Sequence, residues 1–253
     1  MSHTDQISLQ LNIQKHQINA TVELLDAGNT IPFIARYRKE VTGSLDEKQI
    51  RDVASLLEKL RLLDERRNTI LRTIDEQGEL TQGLKDQIMA ATTRTQLEDL
   101  YQPYKPKRRT RASSARENGL QPLADHILHQ PTVSLSLDEL ATPYLNEVIT
   151  DTNMAWAGAR DIVAETISDH PEVRRIIRLK AAQWGSLRVE RIKNSNDPRA
   201  IYQDYYNFEM RLDRLRPHQI LAINRGETEK ILRVKIDIPE RDWRHAINSH
   251  FKI

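Results

Sequence analysis

Cysteine is absent from the 253 residues. That excludes disulfides, thiolate metal sites and a cysteine nucleophile, and it suits a reducing compartment. Glycine and proline are sparse, at 8 and 10 residues, and aromatics make up only 5%. Leu, Ile, Ala, Glu, Gln, Lys and Arg dominate instead, which favours helix over sheet. An excess of one charge is lacking too. Against 38 Lys and Arg stand 36 Asp and Glu, a formal net charge of +2, so only local clustering can point to a partner. No apolar run is long enough to span a bilayer, and the first ten residues lack the oily stretch of a signal peptide. The chain therefore reads as cytoplasmic, with no membrane partner. It also lacks a phosphate-cradling glycine loop, a His-Glu-x-x-His helix and a Gly-x-Ser-x-Gly turn. Its carboxylates are too numerous for any pair to stand out as acid and base. It reads as no enzyme, with no cofactor, no metal site and no small-molecule substrate.

What is present is organised around residues 30–78. Ile31 to Glu40 forms a short cationic aromatic segment. Pro32 suits the first turn of a helix, and Phe33, Ile34 and Tyr37 fall on one face, with Arg36, Arg38 and Lys39 mostly on the other. Ser44 with Glu47 three residues on predicts a capping box and a helix from Leu45. Apolar residues then recur three and four apart from Ile50 to Ile74, without a Gly or Pro before Gly78. This predicts one helix on the order of 50 Å long, a spine for shorter helices.

Ahead of the spine, the periodicity over Ile7 to Leu25 predicts two helices or one broken helix. A helix-turn-helix DNA reader shares that skeleton, as do many bundles. After Gly78 a short helix carries Leu84 and Ile88. A helix end then leads into an arm punctuated by Pro103 and Pro106, which withdraw N–H donors and keep the chain extended. Lys105, Lys107, Arg108, Arg109, Arg111 and Arg116 follow with no carboxylate among them, the densest positive run in the sequence. Cations so spaced can each meet a phosphate, and Tyr101 and Tyr104 can offer stacking faces. Equally, Glu98 and Asp99 can clasp the arm as a structural strap with both tyrosines buried. Both readings stay open.

Helices are predicted around Leu120 to Leu128, from Asp151 or Thr152 to His170, and from Pro171 to Gly185. His126 and His129 sit three apart in the first, with no further ligand nearby. Past Gly185 the texture changes. Leu187, Val189 and Ile192 alternate as in a strand, as do Leu232, Val234, Ile236 and Ile238, with Ile231 at their head. Between them Tyr202, Tyr205, Tyr206 and Phe208 cluster, which reads as core or interface ahead of a base-stacking platform. Trp243 and Ile247 suggest a last helix. The expected architecture is mainly α, a multi-helix bundle on one long helix over residues 1–185, with the start of an α+β region over 186–253 that ends before it is complete.

Four segments, Ile31 to Glu40, Thr95 to Ala112, Tyr202 to Glu209 and Arg216 to Glu227, closely resemble signatures of the bacterial Tex proteins, accessory factors in transcription. The family more often has Arg where this chain has Gln219. Tex proteins are much longer, and the resemblance covers only their N-terminal helical part. It implies a transcription accessory role with RNA or DNA binding, although the family's nucleic-acid binding is attributed mainly to a C-terminal domain with no counterpart here. Two readings follow. One is a scaffold that binds nucleic acid weakly through Lys105, Lys107, Arg108, Arg109, Arg111 and Tyr104, with Arg36 and Arg38 as auxiliaries. The other is a protein-interaction scaffold that docks polymerase or ribosome components.

Overall fold

A computed structural model describes residues 2–106, 108–132 and 134–251. The chain divides into two compact units, Met1–Glu98 and Asp99–Ile253.

In the first unit α1 (His3–Leu11), α2 (Lys15–Asp26) and α3 (Ile31–Tyr37) all pack on the spine, α4 (Glu47–Glu76). Ile7, Ile18, Ile34, Ile50 and Val53 are fully buried in their shared core, as the three-and-four spacing requires. At 30 residues α4 is about 45 Å long and ends just before Gly78. Its start differs from the sequence expectation. Ser44 lies in a left-handed turn with φ 64°. The capping box is made two residues later, where the Asp46 carboxylate accepts the Gln49 N–H at 2.7 Å and the Gln49 side chain accepts the Asp46 N–H at 2.9 Å. A second departure concerns α3. It buries Ile34 and Ala35, while Phe33 and Tyr37 stand on the solvent side at 36% and 62% exposure. Next, α5 (Gln82–Ala90) is tied to α4 by Arg67, whose guanidinium donates to the carbonyls of Ile88 and Ala91. The helix α6 (Arg94–Tyr101) follows.

In the second unit α7 (Arg111–Glu117), α8 (Gln121–His129) and α9 (Leu137–Ala141) pack on α10 (Thr152–Asp169). Small side chains let them approach closely: Ala112, Ala115, Ala124, Ala155 and Ala159 are all buried around Ile162. α11 (Pro171–Trp184) carries Val173 inward, and Trp184 is half-exposed beneath the Arg211 guanidinium.

The sheet comprises β1 (Ser186–Arg191), β2 (Asn207–Arg211) and, after α12 (Pro217–Thr228), β3 (Leu232–Asp237), in the order β2-β1-β3 and antiparallel throughout. Val189 faces Phe208 on one side and Val234 on the other. Its inner face shares a core with Tyr202, Ile223 and Ile231. The last helix is α13 (Glu240–Asn248). The chain is thus mainly helical with a small α+β portion near its C-terminus, as the composition and the alternation past Gly185 predict.

One histidine makes part of this unit sensitive to acid. His170 caps α11 by accepting the Val173 N–H on Nδ1 at 3.4 Å, and its ring lies 4.8 Å from that of His250. Burial, then the neighbouring His250, lowers its pKa below the ordinary histidine value. The unfolded chain therefore takes up this proton at higher pH than the folded one. The stabilisation is complete above pH ~6.5 and declines as pH falls from there toward the folded pKa. Melting temperature should accordingly drop between pH 7.5 and 5.5, and His170→Asn, which keeps a capping acceptor but does not titrate, should flatten that drop.

Candidate nucleic-acid interface

The cationic arm is bounded at both ends. Upstream, α6 closes on Tyr101, which is buried, and Gln102–Tyr104 add a single 3-10 turn. Lys105 and Pro106 leave that turn without regular structure. Downstream, Thr110 caps α7: its hydroxyl accepts the Ser113 N–H at 3.0 Å while the Ser113 hydroxyl accepts the Thr110 N–H at 2.8 Å. This helix takes Arg111 to Arg116 out of the extended arm expected from the sequence.

Lys105 and Arg108 are exposed and make no ion pair among the described residues. Arg109 is 78% exposed and reaches Glu117 only at 3.5 Å, and Arg111 is 88% exposed and reaches Asp161 only at 3.7 Å. Pairs so open to water contribute about 0–1 kcal/mol and are screened by salt, so an incoming phosphate can replace either carboxylate. Arg116 differs, since its guanidinium lies 2.6 Å from a Glu165 carboxylate that is itself largely buried. Tyr104 is half-buried, and Lys107 lies outside the described residues. Arg109, Thr110, Arg111, Ser114 and Gly158 help line a shallow depression of about 430 Å³.

The carboxylates of Glu98 and Asp99, the two expected to clasp the arm, both accept from arginines of neighbouring helices. Glu98 accepts two bonds from Arg66, at 2.7 and 3.0 Å. Asp99, buried, accepts from Arg174 and Arg178 of α11.

Arg36 and Arg38 belong to the first unit and the arm to the second. Both arginines are exposed, and together with Lys39 they form no ion pair among the described residues. Arg38 lies over the Phe33 ring, 5.3 Å from its centroid. The sequence groups Phe33 and Tyr37 with Ile34 on one face, yet only Ile34 is buried. Their spacing of four beside Arg36 and Arg38 was the available signal, but the same spacing serves a core stripe. Elsewhere, Tyr202 is buried and Tyr206 donates to Asp197, so that aromatic cluster is core. Gln219, where the resemblance expects Arg, accepts the Arg216 N–H at the start of α12. His129 bonds the Asp125 carbonyl, and among the described residues no group of three or more His, Asp or Glu side chains is placed to hold a metal. No described helix is long and apolar enough to cross a membrane.

Two family models match the chain: the Tex-like protein N-terminal domain over residues 1–75 and the Tex central region-like model over 132–253. The chain is 40% identical over 262 residues to the transcriptional accessory protein Tex of Neisseria gonorrhoeae, covering 100% of this chain and 34% of the relative. It is 42% identical over 235 residues to the protein tex of Bordetella pertussis, covering 92% and 30%. It is 30% identical over 241 residues to the human S1 RNA-binding domain-containing protein 1, covering 92% and 24%. The chain thus spans about a third or less of the length of these curated relatives.

Proposed function

Since this chain belongs to the Tex family, corresponding to its N-terminal and central regions, we propose that it is a non-enzymatic, cytoplasmic helical scaffold of a transcription accessory protein that binds nucleic-acid backbones weakly. The contacts are made by Lys105, Lys107, Arg108, Arg109 and Arg111 beside Tyr104, with Arg36 and Arg38 of the first unit as auxiliaries. The observation that carries this reading is the state of the arm: Lys105 and Arg108 are exposed without a carboxylate partner among the described residues, and Arg109 and Arg111 have only long, solvated ones. Such cations meet phosphates rather than base edges, so binding is tolerant of sequence and does not by itself separate RNA from DNA. The names of two relatives, a transcriptional accessory protein and an S1 RNA-binding domain-containing protein, fit this assignment.

The test is a salt titration of binding to a single-stranded RNA and to a DNA duplex. Each phosphate neutralised adds about −0.7 (single strand) or −0.9 (duplex) to the slope of log K against log salt. A slope of roughly −3 is expected if most arm cations engage. Replacing Arg108, Arg109 and Arg111 together by Ala should make it shallower by about 2. Salt-independent affinity, or an unchanged slope in the triple variant, would overturn the assignment and leave a scaffold that docks proteins of the transcription machinery.

A further inference from the structure

The first unit carries a surface whose composition is at odds with a merely solvated helix face. Phe33 and Tyr37 lie on α3 with ring centroids 5.3 Å apart and planes inclined at 45°. Tyr37 is 62% exposed, Phe33 36% and Val41, just beyond, 47%. Around them stand Arg36, Arg38 and Lys39, all exposed and without an ion pair among the described residues, with Glu40 the one carboxylate in that run. Two aromatic rings in water beside three unmatched cations are a combination that neither core packing nor solubility calls for.

The segment bearing those cations is also fixed in shape. Thr42 is fully buried; its N–H donates to the Arg38 carbonyl at 3.1 Å, and its hydroxyl to the same oxygen at 3.2 Å. The Ser44 N–H reaches the Lys39 carbonyl at 2.7 Å. From α2, Gln17 donates its side-chain amide to the carbonyls of Thr42 at 3.3 Å and Gly43 at 2.9 Å. Gly43 has φ 63°, and a Cβ there would sit 2.7 Å from the Gln17 amide nitrogen, so the turn is built for glycine. Side chains on a backbone locked in this way lose little further freedom when a ligand arrives.

We infer that Phe33, Tyr37, Arg36, Arg38 and Lys39 form a binding site for single-stranded nucleic acid, with unpaired bases stacking on the two rings and the flanking phosphates meeting the three cations. This extends the nucleic-acid reading above and rests on it, but it adds a different contact and a preference the arm lacks. The charges select a polyanion. The rings select one with flat faces to offer, which a duplex keeps inside its own stack. An acidic peptide would satisfy the cations and leave the aromatics unused.

The experiment uses the full 253-residue chain and labelled probes: a single-stranded oligouridylate, a duplex DNA and a polyglutamate peptide. Phe33→Leu with Tyr37→Leu keeps apolar bulk and removes the stacking faces; Tyr37→Leu alone serves if the pair compromises folding, which circular dichroism will report. Each stacked base contributes about 5- to 150-fold. Single-strand affinity should therefore fall at least about fivefold in the double variant, with duplex affinity and the salt slope unchanged. The arm variant should instead weaken both probes and flatten the slope. Unaltered single-strand affinity in the Leu variants, while the arm variant loses it, overturns this inference and spares the general one. Polyglutamate competing with oligouridylate equally well before and after the Leu changes assigns the surface to acidic protein segments and overturns it as well. No binding of either nucleic acid by the parent chain overturns both.

Discussion

Replacing Arg174 and Arg178 together by alanine is expected to cost about 3–5 kcal/mol of unfolding free energy, read by denaturant titration. Asp99, at the end of α6, is only 5% exposed. It accepts from Arg174 at 3.1 Å and from Arg178, the two arginines projecting from one face of α11. Removing both strands a carboxylate in a place water barely reaches. The reverse change, Asp99→Ala, should cost less, about 1.5–3 kcal/mol, because it forfeits only the charge-assisted bonds. The guanidinium groups, at 37% and 44% side-chain exposure, can turn to solvent. The inequality is the test: equal costs from either side would mean that the carboxylate is better hydrated than its burial implies. Added salt should change the parent's stability little through this triad, in contrast to the exposed pairs of the arm.

Ile162→Ala should destabilise the second unit by about 2–5 kcal/mol, and Ile162→Val by about 0.5–1.5. Ile162 is fully buried where α10 meets α7 and α8. Its core cluster combines alanines, Ala112, Ala115, Ala124 and Ala159, with the larger Leu120, Leu123, Ile149 and Val163. The same core seats α7, whose first residue is Arg111, so chemical denaturation and oligonucleotide binding should be measured together. Binding lost at denaturant concentrations well below the global transition would show that the arm's footing gives way first.

The spine, the pair of helices before it, the arm and two of three strands were legible because each rests on a local rule: periodicity, proline geometry or alternation. What escaped depended on contacts distant in sequence or on competing local choices. Ser44 and Asp46 both offer a cap, and the tie from Gln17 to the turn leaves Ser44 outside the helix. β2 is five residues long and follows an aromatic cluster whose first member, Tyr202, is core, so its alternation was hidden. The Thr110 cap uses Ser113 where Glu or Gln is the usual signal. For the candidate sites, charge density marked the arm, whereas for Phe33 and Tyr37 spacing alone cannot tell which side of a short helix meets the spine. The Asp99 triad joins residues 75 and 79 apart and left no mark in the sequence at all.

The three-stranded sheet ends on β2 at one margin and β3 at the other. Each of those margins is a template onto which a stray extended segment can add. Glu209 and Arg211 on one, and Arg233, Lys235 and Asp237 on the other, set charges along them and make such additions repulsive or misregistered. Their worth lies in keeping neighbouring molecules apart in concentrated solution. Neutralising them would show first as turbidity, with the folded state itself scarcely altered.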